Sequence, residues 1–177
     1  MTSSDENRPL EIERKFLIRM PDPERLAAES TRKIRIRQIY LTIDGNAQSR
    51  RLRLWSPEGG KETRYYTEKI RLTDRTRIER EREIGPEEWD ALMAEADPER
   101  RVIEKTRWCV PSGAHTLEID IFPFWPDRAF CEVELSSEEE RFELPDWLRV
   151  MREVTDDRRY TNYALARSIP EESWDQG

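Results

Sequence analysis

The stretch PLEIERKFLI, Pro9 to Ile18, puts Glu11, Glu13 and Lys15 at every second position. Alternate residues of a strand share a face, so two carboxylates and an ammonium would stand in one row. The same spacing recurs along the chain. Arg51 and Arg53 alternate with Leu52 and Leu54. Thr67, Lys69 and Arg71 share one parity, and so do Arg77, Glu79, Glu81 and Glu83. Lys105 and Arg107, then Glu118 and Asp120, then Glu132 and Glu134 repeat it. A single strand of this kind is the ordinary wet-face, dry-face pattern. Its recurrence in nearly every strand, with acids and bases mixed, points to charged faces turned inward and apolar faces lying beneath helices.

Clustered carboxylate oxygens are ligands for hard cations such as Mg2+ or Mn2+. Guanidinium and ammonium groups bind phosphate oxygens. A charged interior is costly unless its charges are paired or bind ions, and a metal–polyphosphate complex satisfies both halves at once. Such chemistry works by positioning and charge stabilisation and needs no nucleophilic serine or cysteine. Cys109 and Cys131 form no CxxC and read as strand packing. His115 is the single histidine, in a turn, so a zinc site is not expected.

The elements that must position these residues follow from the pattern. The chain has 177 residues, the size of one domain. Its charged fraction is 39%, against about 25% in ordinary domains. Six Trp, five Tyr and five Phe at regular apolar positions argue for a folded core rather than disorder. The net charge of −7 disfavours nonspecific nucleic-acid binding. No apolar run approaches the roughly 20 residues of a membrane span, and the N-terminal residues are not expected to be a signal peptide. The expectation is a cytoplasmic protein with no membrane or nucleic-acid partner, acting as a monomer or homodimer.

Strands are expected at 10–19, 33–43, 49–55, 63–72, 75–84, 101–110, 116–122 and 129–135. Asp22 and Pro23 start a short helix over 23–30. Gly85 and Pro86 start another, with Trp89, Leu92, Met93 and Ala96 as its apolar stripe. LPDWLRVM reads as a short helix, and DDRRYTNYALARSI as a terminal one. Lys33, Arg35 and Arg37 have the outward parity, whereas Gln38 and Tyr40 have the inward one. Eight strands joined mostly by short turns give an α+β fold, an eight-stranded antiparallel barrel with a charged interior and flanking short helices. Residues 1–9 are expected to be a flexible leader, 10–168 the domain and 169–177 a flexible tail.

The ordered set EIERKF, RLRL, YTEK, RIERERE, EKTRW, EIDIF, CEVEL and EVTDDRRYTN resembles the CYTH domain of the triphosphate tunnel metalloenzymes. The resemblance implies a tunnel holding a small-molecule triphosphate, with Mg2+ or Mn2+ as cofactor. It implies metal-side roles for Glu11, Glu13, Asp120, Glu132 and Glu134. It implies triphosphate binding by Lys15, Arg51, Arg53, Lys69, Arg77, Lys105 and Arg107. Glu79, Glu81 and Arg159 would act as catalytic or supporting residues. Two details depart from the pattern: RIERERE offers three alternating glutamates, and Ile70 follows Lys69 where a glycine is common. The activity implied is hydrolysis of a triphosphate, inorganic tripolyphosphate being favoured over thiamine triphosphate or a nucleotide. Adenylate cyclisation and a non-catalytic polyphosphate- or nucleotide-binding module are the alternatives.

Overall fold

The computed structural model describes residues 12–45, 47–71 and 77–173. The expected leader, Glu11 and the end of the expected tail lie outside them. Arg77 is described in its backbone only. In chain order the elements are β1 (Ile12–Arg19), α1 (Pro23–Glu29), β2 (Arg32–Tyr40), β3 (Ala47–Pro57), β4 (Thr63–Arg71), β5 (Arg77–Glu83), α2 (Pro86–Met93), β6 (Ile103–Ser112), β7 (His115–Ile121), β8 (Arg128–Leu135), β9 (Val150–Glu153), a 3-10 turn (Arg158–Tyr160) and α3 (Asn162–Leu165). They form two compact units. The first takes the chain up to residue 33 and then 107–155; the second takes 34–106 and everything from 156 on.

In the first unit the strand order is β6-β7-β8-β1-β9. The pairs β1–β8, β7–β8 and β1–β9 are antiparallel. Period-two alternation splits these strands cleanly. Phe16, Ile18, Val110, Leu117, Ile119, Cys131 and Val133 form one face and pack with Leu26 and Leu148. Each such burial contributes about 1.5–3 kcal/mol. Leu26 comes from α1, whose start is as expected: the Asp22 carboxylate accepts from the Arg25 backbone N–H at 2.9 Å, and Pro23 opens the helix.

In the second unit the order is β5-β4-β3-β2, antiparallel throughout. Its apolar face carries Ile39, Leu41, Leu52 and Ile84, packed against Tyr66 and the stripe Trp89, Leu92, Met93 and Ala96. That stripe is the one the sequence marks on α2. Gly45 turns the chain between β2 and β3 with φ +67°, which a glycine adopts without steric cost. Arg35 and Arg37 are exposed and Gln38 and Tyr40 buried, as their parity requires.

Two expectations are corrected. LPDWLRVM is not a helix. Leu148 N–H bonds to the Pro145 carbonyl at 3.0 Å in a turn, and Val150–Glu153 then runs as a ninth strand beside β1. One edge of β1 is paired with β8, and β9 satisfies the backbone groups of the other. The terminal segment is not one helix either. Asp157 caps a single 3-10 turn, and Thr161 caps a separate four-residue α-helix. Among the described residues, β5 and β9 each have one hydrogen-bonded neighbour. The described pairings do not include closure into the eight-stranded ring expected; the antiparallel α+β architecture holds. No helix among the described residues is long and apolar enough to cross a membrane.

Candidate active site

The charged parities of each unit assemble into one group per unit. In the first unit the face opposite the apolar core carries Glu13, Lys15, Arg107, Glu118, Asp120, Glu132 and Glu134. Lys15, Arg107, Asp120 and Glu132 are all buried, and Asp120 is fully so at 0% exposure; in the second unit Lys105 is buried as well. Arg107 is the centre. Its Nε and Nη2 donate to the two oxygens of Asp120 at 2.8 and 2.9 Å. Nη1 pairs with Glu118, and Nη2 lies 3.5 Å from Glu132. Glu132 also accepts Lys15 Nζ at 3.2 Å. The register explains the chain of contacts, because Lys15 faces Glu132 and Glu132 faces Glu118 across neighbouring strands. Glu13 faces Glu134, and both are exposed.

The electrostatics follow. Burial alone would pull the Arg107 guanidinium down, but Asp120 and then Glu118 and Glu132 outweigh it and hold the group well above its ordinary range. Burial pushes the Glu118 carboxyl up; Arg107 opposes this, and the charges of Asp120, Glu132 and Glu134 add to it. Glu118 is absent from the candidates drawn from the sequence. Its signal was its shared parity with Asp120 in LEIDIF.

In the second unit the cross-strand row Tyr40–Arg51–Thr67–Glu81 runs over β2, β3, β4 and β5. Beside it Lys69 faces Glu79. Arg53 Nη2 donates to Glu81 Oε2 at 2.8 Å, and Thr67 Oγ1 donates to the same oxygen at 2.8 Å. Glu79 lies 3.8 Å from Arg51 and 3.6 Å from Lys69. These contacts draw Glu79 and Glu81, out of three alternating glutamates, into the basic group. Gln38 Nε2 donates to the Tyr40 hydroxyl at 3.4 Å. Burial holds that hydroxyl above its ordinary range against the opposing pull of Arg51, Arg53 and Arg100. Gln38 Oε1 and Arg51 Nε are buried with no hydrogen-bond partner among the described residues. Buried polar atoms of this kind call for a polar partner. Arg159 is exposed and donates to Asp157 of its own turn at 3.0 and 2.7 Å.

Among the described residues, no group of three or more His, Cys, Asp or Glu stands arranged around a metal-sized position. Glu118, Asp120 and Glu132 close on the Arg107 guanidinium instead. Their donor chemistry, oxygen throughout and largely buried, fits a hard divalent cation.

Both cysteines are free and buried. Burial pushes the Cys131 thiol up to about 12, with Glu132, Asp120 and Glu118 adding to it, and raises the Cys109 thiol as well. The thiolate is the reactive form. Iodoacetamide at mildly alkaline pH is therefore expected to modify neither cysteine in the folded protein and both in concentrated urea. Mass spectrometry checks this, and rapid native labelling of Cys131 would refute the burial described.

No protein-family model matches the chain. Two curated relatives do. An inorganic triphosphatase of Acetivibrio thermocellus is 33% identical over 159 residues, covering 89% of this chain and 94% of the relative. An inorganic triphosphatase of Nitrosomonas europaea is 34% identical over 166 residues, covering 90% and 99%. A crystal structure of an inorganic triphosphatase matches with a TM-score of 0.59 at 31% identity, over 93% of this chain and 99% of that one. Identity at this level along nearly the whole length of both relatives carries one conclusion: the chain belongs to the family of the inorganic triphosphatases.

Proposed function

We propose that the protein hydrolyses the terminal phosphate of a triphosphate, with inorganic tripolyphosphate as substrate and Mg2+ or Mn2+ as cofactor. The observation that carries this reading is the buried mixed-charge face. Asp120, Glu132, Lys15 and Arg107 are buried on the side of their strands opposite the apolar core. A protein gains nothing in stability from burying that many ions over burying hydrocarbon, so their placement calls for a ligand that needs both signs. The activity named for both relatives supports the same reading. The CYTH resemblance supplies the further expectation that the phosphate chain threads a tunnel.

In this reading Lys15, Arg51, Arg53, Lys69, Arg77, Lys105 and Arg107 neutralise phosphate oxygens and align the chain of phosphates. Arg51 Nε, buried and unpartnered, is a donor suited to such an oxygen. Glu79 and Glu81 hold Arg51, Lys69 and Arg53 in place, and Arg159 is assigned to the supporting set with them. Glu11, Glu13, Asp120, Glu132 and Glu134 would hold the divalent ion. Bound there, it would draw charge from the phosphate oxygens and favour an attacking water. The oxygen of water bonds to the terminal phosphorus as the bond to the bridging oxygen breaks, and pyrophosphate leaves with the electron pair. Positioning and charge neutralisation supply most of the acceleration in reactions of this type.

The test is phosphate release from tripolyphosphate, ATP and thiamine triphosphate, each with Mg2+, Mn2+ or EDTA, with Glu13→Gln run alongside. The expected result is release from tripolyphosphate that EDTA abolishes and that falls at least about 100-fold in the variant. Triphosphate binding without release from any substrate would replace this reading with a binding module. Cyclic AMP formed from ATP would replace it with a cyclase.

A further inference from the structure

On β8, positions 130, 132 and 134 share the charged parity, and two of the three are glutamate. The third is Phe130, and it is fully buried. The ring stands opposite Leu17 of β1, at the border between the charged row and an apolar end of the same face. The ring does not move freely. Phe122 lies edge-to-face with it at 5.4 Å and Trp125 at 5.0 Å, both at 86°. Phe122 and Trp125 also contact each other, and Phe124 contacts both. This aromatic cluster follows β7 directly and holds the face of Phe130 in one orientation.

What lies on that face is the ammonium of Lys15, with Nζ 4.3 Å from the ring centroid. The register accounts for it. Lys15 stands opposite Glu132 and Leu17 opposite Phe130, so the lysine reaches its direct partner on one side and its diagonal neighbour on the other. Nζ is thereby held between a carboxylate at 3.2 Å and a ring. From behind, Lys15 N–H donates to Thr155 Oγ1 at 3.0 Å, and its carbonyl accepts from Val154 N–H at 2.8 Å.

We propose that Phe130 is a positioning residue for Lys15, its π face fixing the ammonium where phosphate oxygens bind. The proposal rests on the reading of Lys15 as a phosphate ligand. A lysine has a flexible four-carbon stem, and confining it costs rotamer entropy. A second carboxylate at position 130 would confine it too, but would add a negative charge where phosphate must come. A ring attracts the cation through its quadrupole, carries no net charge and ties up no particular N–H. Phe130 thus positions a cation without repelling the anion that the cation serves.

The experiment places mono-, di- and trifluorophenylalanine at position 130 by nonsense suppression, with Phe130→Leu as a further variant. Fluorine leaves the ring nearly unchanged in shape and weakens its quadrupole stepwise. Two readouts are taken: kcat/KM for tripolyphosphate, and the NMR shifts of the Lys15 side-chain terminus in substrate-free protein. The expected result is a graded fall of log kcat/KM across the series, reaching about tenfold with the trifluoro ring. The Lys15 shifts should move in step, and fluorination should have no effect on activity in a Lys15→Ala background. Unchanged kcat/KM and unchanged Lys15 shifts across the fluorinated series, with a loss only in Phe130→Leu, would overturn the proposal and leave Phe130 a packing residue. Shifts that move while Lys15→Ala retains full activity would instead overturn the role of Lys15 on which the proposal rests.

Discussion

Arg107→Ala is expected to lower the stability of the protein by about 3–5 kcal/mol, the cost of removing one partner from a buried ion pair. The reason lies in what the substitution leaves behind. Asp120 is entirely buried, and two guanidinium N–H groups meet its two oxygens at 2.8 and 2.9 Å. Glu118 and Glu132 lean on the same guanidinium. Without it, the buried carboxylates of Asp120 and Glu132 and the half-buried one of Glu118 face one another. Urea denaturation at neutral pH measures the loss through the transition midpoint. The pH dependence separates this account from simple loss of packing. Glu118 is already held above its ordinary range by burial. A carboxyl whose folded pKa is raised favours the fold when protonated and weakens it as pH rises through that raised value. The gap between variant and wild type should therefore narrow below the ordinary carboxylate range and widen toward neutrality. Asp120→Asn in the Arg107→Ala background should recover part of the loss, since the two residues are in contact and couple. A cost below about 1 kcal/mol at neutral pH would mean that the carboxylates are not held as described.

Arg53→Ala is expected to leave stability nearly intact while lowering kcat/KM for tripolyphosphate by about 100- to 1,000-fold, the range for removing a preorganised donor to a developing anion. Arg53 is set up as such a donor. Its Nη2 is held by Glu81 at 2.8 Å, Thr67 donates to the same carboxylate oxygen, and Trp55 lies 5.3 Å below the guanidinium. Arg53→Lys restores the charge without the planar fork, so it should recover only part of the rate. Thr67→Val should act in the same direction by loosening Glu81, but by no more than about 100-fold, the upper scale of one hydrogen bond to a charged group. Steady-state kinetics beside thermal denaturation make the comparison. Equal losses of stability and activity in Arg53→Ala would assign Arg53 to the fold alone.

The features most legible in the sequence are those that period-two alternation controls. Which residues of β1, β3, β4, β7 and β8 share a face was readable because the pleat leaves no freedom in the matter. The outward parity of Arg35 and Arg37 and the inward parity of Gln38 and Tyr40 followed from the same rule. Asp22 and Pro23 announced α1 because capping is a local event. β9 was not legible. Val150–Glu153 is four residues long, and what makes it a strand is the open edge of β1, far away in sequence. The separate turn and short helix after Asp157 were missed because each is one turn long, too short for helical periodicity to register. Parity could show that Glu118 and Asp120 stand on one side. It could not show that Arg107 gathers both, because that depends on which strands become neighbours.

The pairing of β1 has a consequence for how the chain comes into being. β1 is the first strand described, yet its partners are β8, from Arg128, and β9, ending at Glu153. The residues that bond the backbone of Lys15 are 154 and 155. As the protein is synthesised, β1 emerges early and waits through more than a hundred residues for the strands that complete it. Contacts of such long range close late and make for slow folding. The first unit is therefore among the last parts of the chain to gain its structure, although its sequence leads. A ribosome stalled before residue 128 would carry a chain whose strand Ile12–Arg19 has neither neighbour in reach.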